Sequence, residues 1–365
     1  MQAVRDASCV CCNSLQEPDS LSSMRTIDGR RRRSAQLVVT LLVLASVAGC
    51  ARGEPDTIGS KDEDTIHVVT TVSPITNIVA NVGGSAVSVT GIVPEGVNSH
   101  TFEPAPSDAA VMEQADIVFV NGLHLEEPTL ELAEANIGGE VPIVQLGERT
   151  IAPDEYIFDF SFPEADGDPN PHLWTNPPYA KRYAEIVGAE LSSLDPTKAA
   201  MFGRNVSAFA VKLGEVDALV REVTDTVPPE NRKLLTYHDS FPYFAREYGW
   251  QVIGAVQPSD FSDPTPQEVA GLIDQIEAEQ IPAIFGSEVF SSPVLEQIAA
   301  ETGAEYVDDL RDDDLPGEAG DPDHSYFGLM VFDFVTIMSA LGGDTAPFAG
   351  LDVSNLHEGD VEYRD

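Results

Sequence analysis

The feature that most constrains this chain is an amphipathic stretch near its middle. Between Asp195-Pro196 and Pro228-Pro229, apolar residues recur at Phe202, Val206, Phe209, Leu213, Val216, Val220 and Val223. Steps of three and four put them on one helix face, so a single stripe is buried along the whole length. A helix of about 30 residues spans roughly 45 Å, enough to cross two lobes. The segment 195–227 therefore reads as a stiff spine.

On both sides of it strands alternate with helices. Before it come strands at 66–72, 87–93, 117–120 and 141–146, with helices at 73–82, 107–114, 128–135 and 177–191. Ser73-Pro74 supplies an N-cap and a first helical proline, and Gly83-Gly84 a stop. After it, strands at 233–236, 252–256, 282–285 and 305–307 alternate with helices at 241–248, 265–279, 292–303 and 324–341. Thr265-Pro-Gln-Glu268 is a capping box. Alternation of this kind implies parallel sheets covered by helices on both faces. The fold class is α/β: an N-terminal lobe over 66–191, a C-terminal lobe of similar plan over 231–343, and a polar tail over 344–365.

The first residues are an address rather than fold. Arg30 to Arg33 form a positive region, and 34–48 is an apolar stretch too short for a bilayer, which needs about 20 residues. It closes in Ser46-Val-Ala-Gly-Cys50, which resembles the lipobox of bacterial lipoproteins, where cleavage precedes the cysteine that carries the lipid. Residues 1–49 are the expected signal peptide, with Met24 as an alternative start, and 50–65 a lipidated cysteine and tether. The chain has 4 Cys, and Cys9, Cys11 and Cys12 precede the cleavage point. The mature chain thus keeps one cysteine and no internal disulfide.

With 61 acidic against 20 basic residues the net charge is −41. A nucleic-acid partner is excluded on that charge. The acidity reads mainly as a solvated surface, since net charge speaks to solubility rather than fold.

Chemistry-bearing residues fall at predicted strand ends, where α/β sheets bind ligands. His100 sits in the loop after the second strand, among Gly96, Asn98 and Pro104. His172 lies between prolines just before a helix. His238 directly follows the strand ending at Thr236. Asp308, with Asp309 as its one-residue alternative, closes the strand ending at Val307. Glu288 ends another strand and is placed to orient an imidazole from outside the ligand set, and Asp239 is an alternative helix N-cap. His124 reads as a surface residue, and His67 and His357 as structural or solvated. The acidic run Arg311 to Glu318 lacks the spaced oxygens of a calcium loop and reads as solvated.

Several of these residues belong to motifs in a familiar order. Asn98-Ser-His-Thr-Phe-Glu-Pro104, Asn121-Gly-Leu123, Asp168-Pro-Asn-Pro-His-Leu-Trp174, Tyr237 to Phe244 and Tyr306-Val-Asp308 together resemble the metal-binding lipoproteins of zinc and manganese ABC importers. The resemblance covers about 66–341. It implies two lobes joined by one rigid helix, with a single metal in the cleft held by His100, His172, His238 and Asp308. It also implies a permease and its ATPase as partners, a monomer, and attachment through Cys50 to the extracytoplasmic face of the membrane.

Three imidazoles and one carboxylate suit zinc, whereas manganese prefers more oxygen. Manganese-type members commonly have Glu where this chain has His238. Against zinc, 154–170 is acidic without the histidines of many zinc members. The expected cargo is one divalent ion, Zn2+ over Mn2+. A manganese-specific binding protein is the alternative, a metal-binding surface adhesin a second, and a zinc metalloenzyme the most remote. No His-Glu-x-x-His is present, and four protein ligands leave no position for a catalytic water.

Overall fold

The computed structural model describes residues 64–289, 292–357 and 359–364. The expected leader, Cys50 and nearly all of the tether lie outside the described residues.

The N-terminal lobe runs β1 (Ile66–Thr70), α1 (Ser73–Gly83), β2 (Val87–Gly91), α2 (Ala109–Gln114), β3 (Ile117–Val120), α3 (Glu127–Asn136) and β4 (Ile143–Gln145). Helices α4 (Pro177–Leu194) and α5 (Ala199–Thr224) lead across to the second lobe. That lobe runs β5 (Lys233–Thr236), α6 (Pro242–Tyr248), β6 (Gln251–Ala255), α7 (Pro266–Glu279), β7 (Ala283–Phe285), α8 (Pro293–Thr302), β8 (Glu305–Val307) and α9 (Tyr326–Ala340). A last strand, β9, spans Asp360–Tyr363. One sheet has the order β4-β3-β1-β2-β9 and the other β6-β5-β7-β8. Every strand pair in both is parallel.

Strand periodicity divides each sheet's side chains between two cores. Val68, Ile117 and Phe119 face a central core, while Val69, Val118 and Val120 face an outer one. In the second lobe Leu234 and Phe285 face the central core, and Leu235 and Ile284 their own outer core. The central core is continuous between lobes. It holds Phe209 and Val216 of α5 together with Phe327 and Phe334 of α9. The spine is therefore a helix embedded in a shared core rather than a strut between two separate ones.

The α5 helix has 26 residues, about 39 Å at 1.5 Å per residue. It starts later than the sequence suggests because Asp195 is engaged in a turn, its carboxylate accepting from Thr197 N at 2.9 Å. Its stripe is buried as expected, with Asn205 added and Val206 at its margin. Asn205 is accommodated by donating to the Val82 carbonyl at 2.9 Å.

Two local expectations change. Ser73 does not cap α1; it lies in the first turn, and its hydroxyl donates to the Asp313 carbonyl at 2.5 Å. The stretch 344–365 is not a free polar tail either. It returns across the molecule, and β9 adds to the N-terminal sheet beside β2, pairing Ser88 with Asp360 through Gly91 with Tyr363.

Candidate metal centre

All the expected positions lie beyond the carboxyl ends of the parallel strands of the two sheets. His100 lies in a one-turn helix after β2, whose start is fixed by Asn98 Oδ1 accepting from His100 N at 2.9 Å. His172 precedes the turn Leu173–Thr175 and is fully buried. His238 leaves β5 and is 5% exposed. Their Nε2 atoms form a small triangle: 3.2 Å from His100 to His172, 3.1 Å from His100 to His238, and 3.0 Å from His172 to His238.

The outer nitrogens define what those inner atoms carry. His172 Nδ1 is 2.9 Å from Asn170 Oδ1, and His238 Nδ1 is 2.7 Å from Gln257 Oε1. An amide oxygen only accepts, so each Nδ1 bears the proton and each Nε2 a lone pair. Lone pairs turned toward one another in a buried site call for a cation between them. A tetrahedral ion with bonds of 2.0–2.1 Å sets its ligand atoms about 3.3–3.4 Å apart, close to the observed spacing. Burial, and then the neighbouring His238, push the His100 and His172 imidazoles well below the ordinary histidine range, so both stay neutral.

The carboxylate beside this triangle belongs to Asp312. Its Oδ2 lies 3.4 Å from His238 Nε2 and 3.8 Å from His172 Nε2, and it is buried without a hydrogen-bond partner. Asp308 is not brought there. It is exposed, its charge is felt by the Tyr306 hydroxyl two residues back on the same strand face, and its carbonyl packs on Gly286. A Cβ on Gly286 would come within 2.9 Å of that carbonyl oxygen, so the backbones just past β7 and β8 approach closely there. Asp309 pairs with Arg311 at 3.5 Å instead. The chain continues past both before it reaches the imidazoles.

The stretch read as a solvated acidic loop is thus the opposite. Asp312, Asp313 and Asp314 are all buried. Glu288 holds the turn, its Oε1 accepting from the amides of Asp312 at 3.0 Å and Asp313 at 3.4 Å. Trp174 Nε1 donates to the Asp312 carbonyl at 2.7 Å, Gly96 N to Asp314 Oδ2 at 2.6 Å, and the Ser99 hydroxyl to Asp313 Oδ2. Burial and then the charge of Asp312 raise Asp313 and Glu288 well above the usual carboxyl range, and burial lifts Asp314 to about 7. Glu288, expected to orient an imidazole, instead orients the carboxylate loop.

Residues that sequence reasoning missed complete the surroundings. Asn170 and Gln257 orient imidazoles, as above. Asn170 Nδ2 also donates to the Asp239 carbonyl at 2.6 Å, and the Ser161 hydroxyl to the Gln257 carbonyl at 2.6 Å, so the 156–172 segment is tied to the C-terminal lobe. Asp239 is no helix cap: its carboxylate accepts from Ser161 N at 3.2 Å. Phe261, at φ 56°, stacks its ring on His100 with centroids 4.5 Å apart. His124 is exposed and paired with Glu127 at 2.6 Å, as expected of a surface residue.

The fold and this site define a two-lobed, solute-binding type of protein, with three imidazoles and a carboxylate gathered where the lobes meet. Residues 68–340 match the family model described as ZnuA, zinc-uptake complex component A, periplasmic, and the chain belongs to that family. Such proteins are the metal-binding components of ABC importers, not enzymes. The manganese-binding lipoprotein MntA of Halalkalibacterium halodurans is 27% identical over 83% of this chain and 97% of its own length. The iron-binding protein YfeA of Yersinia pestis is 30% identical over 84% of this chain and 94% of its own. Among solved structures, the periplasmic zinc-binding protein TroA from Treponema pallidum superposes with a TM-score of 0.69 at 27% identity, over 76% of this chain and 99% of that one.

Proposed function

We propose that this protein captures one divalent transition metal, zinc in preference to manganese, on His100, His172, His238 and Asp312. It then delivers the ion to a membrane permease driven by an ATPase. The observation that carries the reading is the triangle of Nε2 atoms, each within 3.2 Å of the others, beside the unpartnered Asp312 Oδ2. Three nitrogens and one carboxylate are a borderline donor set that favours zinc. The lipobox-like sequence ending at Cys50 and the relatives named as lipoproteins support a lipid anchor facing outward from the membrane. Among the described residues no helix is long and apolar enough to cross a membrane.

Manganese is the second reading, and one observation favours it. Asp313 offers a further carboxylate oxygen within 4.8 Å of the His172 and Asp312 ligand atoms, and added oxygen suits manganese. Relatives named for manganese point the same way. Competition titration of the metal-stripped protein, without the leader and Cys50, separates the two. One tight zinc site that manganese cannot displace, and that weakens in His238→Ala, supports zinc delivery. Manganese binding of comparable strength moves the cargo to manganese, and no tight site for either sinks the four-ligand arrangement.

A further inference from the structure

The proposed cation position is closed on most sides by fixed groups. His172 is backed by Asn170, His238 by Gln257, and Asp312 by its loop's bonds to Glu288 and Trp174. The remaining approach lies past His100, the half-buried member of the three imidazoles. A cavity of about 140 Å³ lies there, and of the imidazoles only His100 lines it. Asp166 and Asp168, both exposed, stand on its rim.

Phe162 and Phe261 line the same cavity, and between them their rings reach every imidazole. The Phe162 centroid is 5.5 Å from that of His100 and 5.7 Å from that of His172. The Phe261 centroid is 4.5 Å from His100 and 6.2 Å from His238, and it meets the Phe162 ring edge-on at 6.1 Å.

The two rings are held differently. Beside Phe162, Ser161 is anchored to the C-terminal lobe, its amide donating to Asp239 Oδ2 at 3.2 Å and its hydroxyl to the Gln257 carbonyl at 2.6 Å. Phe261 sits in a loop whose Ser259, Asp260, Ser262 and Asp263 are exposed. The hydrogen bonds there are local: Phe261 N donates to the Pro258 carbonyl at 3.0 Å, and Ser262 N to Asp260 Oδ1 at 3.1 Å. At φ 56° the Phe261 backbone is in the left-handed region, which a bulky side chain occupies only under constraint. Its stacking on His100, at 22° between ring planes, offsets that strain. A side chain held in place by its ring, against its own backbone preference, is poised to leave.

We infer that Phe261 is the gate of the metal site. Its ring closes the approach past His100 and must swing off that imidazole for the ion to enter or leave, while Phe162 is the fixed wall beside it. Shut, the rings keep water from the ion; open, His100 faces the cavity and its acidic rim. This inference rests on the proposed site.

The test measures both directions of exchange. Stopped-flow mixing with zinc, and then of the loaded protein with excess chelator, gives association and release rates for the wild type, Phe261→Ala and Phe261→Tyr. A stacked ring pair corresponds to a change of up to about tenfold. A gate stands on the path in and the path out, so Phe261→Ala should bind and release zinc each about tenfold faster, with little change in equilibrium affinity. Phe261→Tyr keeps the ring and should exchange at the wild-type rate. Association at the wild-type rate in Phe261→Ala overturns the gate while leaving the site intact, and if release alone is faster the ring merely steadies His100. Failure of the wild type itself to bind zinc would remove the proposed site and the gate with it.

Discussion

Asp312 Oδ2 and His238 Nε2 lie 3.4 Å apart, joining the end of the β8 loop to the end of β5. The separation suits two ligands of one ion and is long for a hydrogen bond. Asp312→Asn should therefore weaken zinc binding by more than the 10–100-fold that partners outside the ligand set typically cost. Asp308→Asn, on an exposed side chain, should leave affinity unchanged within about twofold. Chelator competition on both variants decides it, and equal losses would return the ligand role to the end of the strand.

Gln257 acts on the ion only through His238. Its Oε1 accepts from Nδ1 at 2.7 Å and so holds the proton on the outer nitrogen. Gln257→Leu leaves that nitrogen buried without a partner and frees the ring to turn or to change tautomer. A 10–100-fold drop in zinc affinity is expected, with Gln257→Glu retaining more of it because a carboxylate still accepts. Isothermal titration of the two variants is the measurement. Identical behaviour of Leu and Glu would show that the contact does not set the imidazole.

The contrast between His238 and Asp312 shows what the sequence makes legible. Each histidine follows a strand or turn whose pattern is local, so its place at a sheet edge can be read directly. The acid is different: five aspartates fall between 308 and 314, and which of them faces inward is set by Glu288, Trp174, Ser99 and Gly96, all distant in sequence. A charge run read alone looks solvated, because nothing nearby reveals the donors that cover it. The same blindness applies to β9. It is only four residues long and half of them are acidic, and they form a strand because β2 offers an unpaired edge and Gly91 a berth for Tyr363. The spine helix was legible because its stripe repeats over many turns. The shared central core was not, since the stripe does not say which partners fill it.

Glu126 provides a pH signature independent of the metal. Burial pushes its carboxyl up to about 7, although the Thr71 hydroxyl and the amides of Asn121 and Gly122 hydrogen-bond to it and pull it down. The ordinary value is 4.5. Between the two, the folded chain binds one more proton than the unfolded one, so stability falls as pH rises, by about 1.4 kcal/mol per unit. Glu126→Gln lacks that slope. The stability gap between the variants should shift toward Glu126→Gln by about 3 kcal/mol from pH 5 to pH 8, other groups cancelling in the difference. Urea unfolding at several pH values measures it, and a constant gap would mean that Glu126 is already ionised when buried.

Metal binding should also release protons, and the structure says from where. His100 and His172 are held well below the ordinary histidine range by burial and by their neighbours, so at pH 7 they have none to give. Asp313 and Glu288 are held well above the ordinary carboxyl range, so they keep protons when no cation is present. A divalent ion beside Asp312 favours their charged forms and drives those protons off. The heat of zinc binding at pH 7 should therefore differ between phosphate and Tris by the difference in buffer ionisation enthalpy times the number released. That number should fall in Glu288→Gln. As pH drops below 7, affinity should fall about tenfold per unit for each proton released, with the buried acids rather than His100 and His172 supplying that slope. Equal heats in the two buffers, or an affinity that does not change with pH around 7, would show that the buried acids are already ionised before the ion arrives.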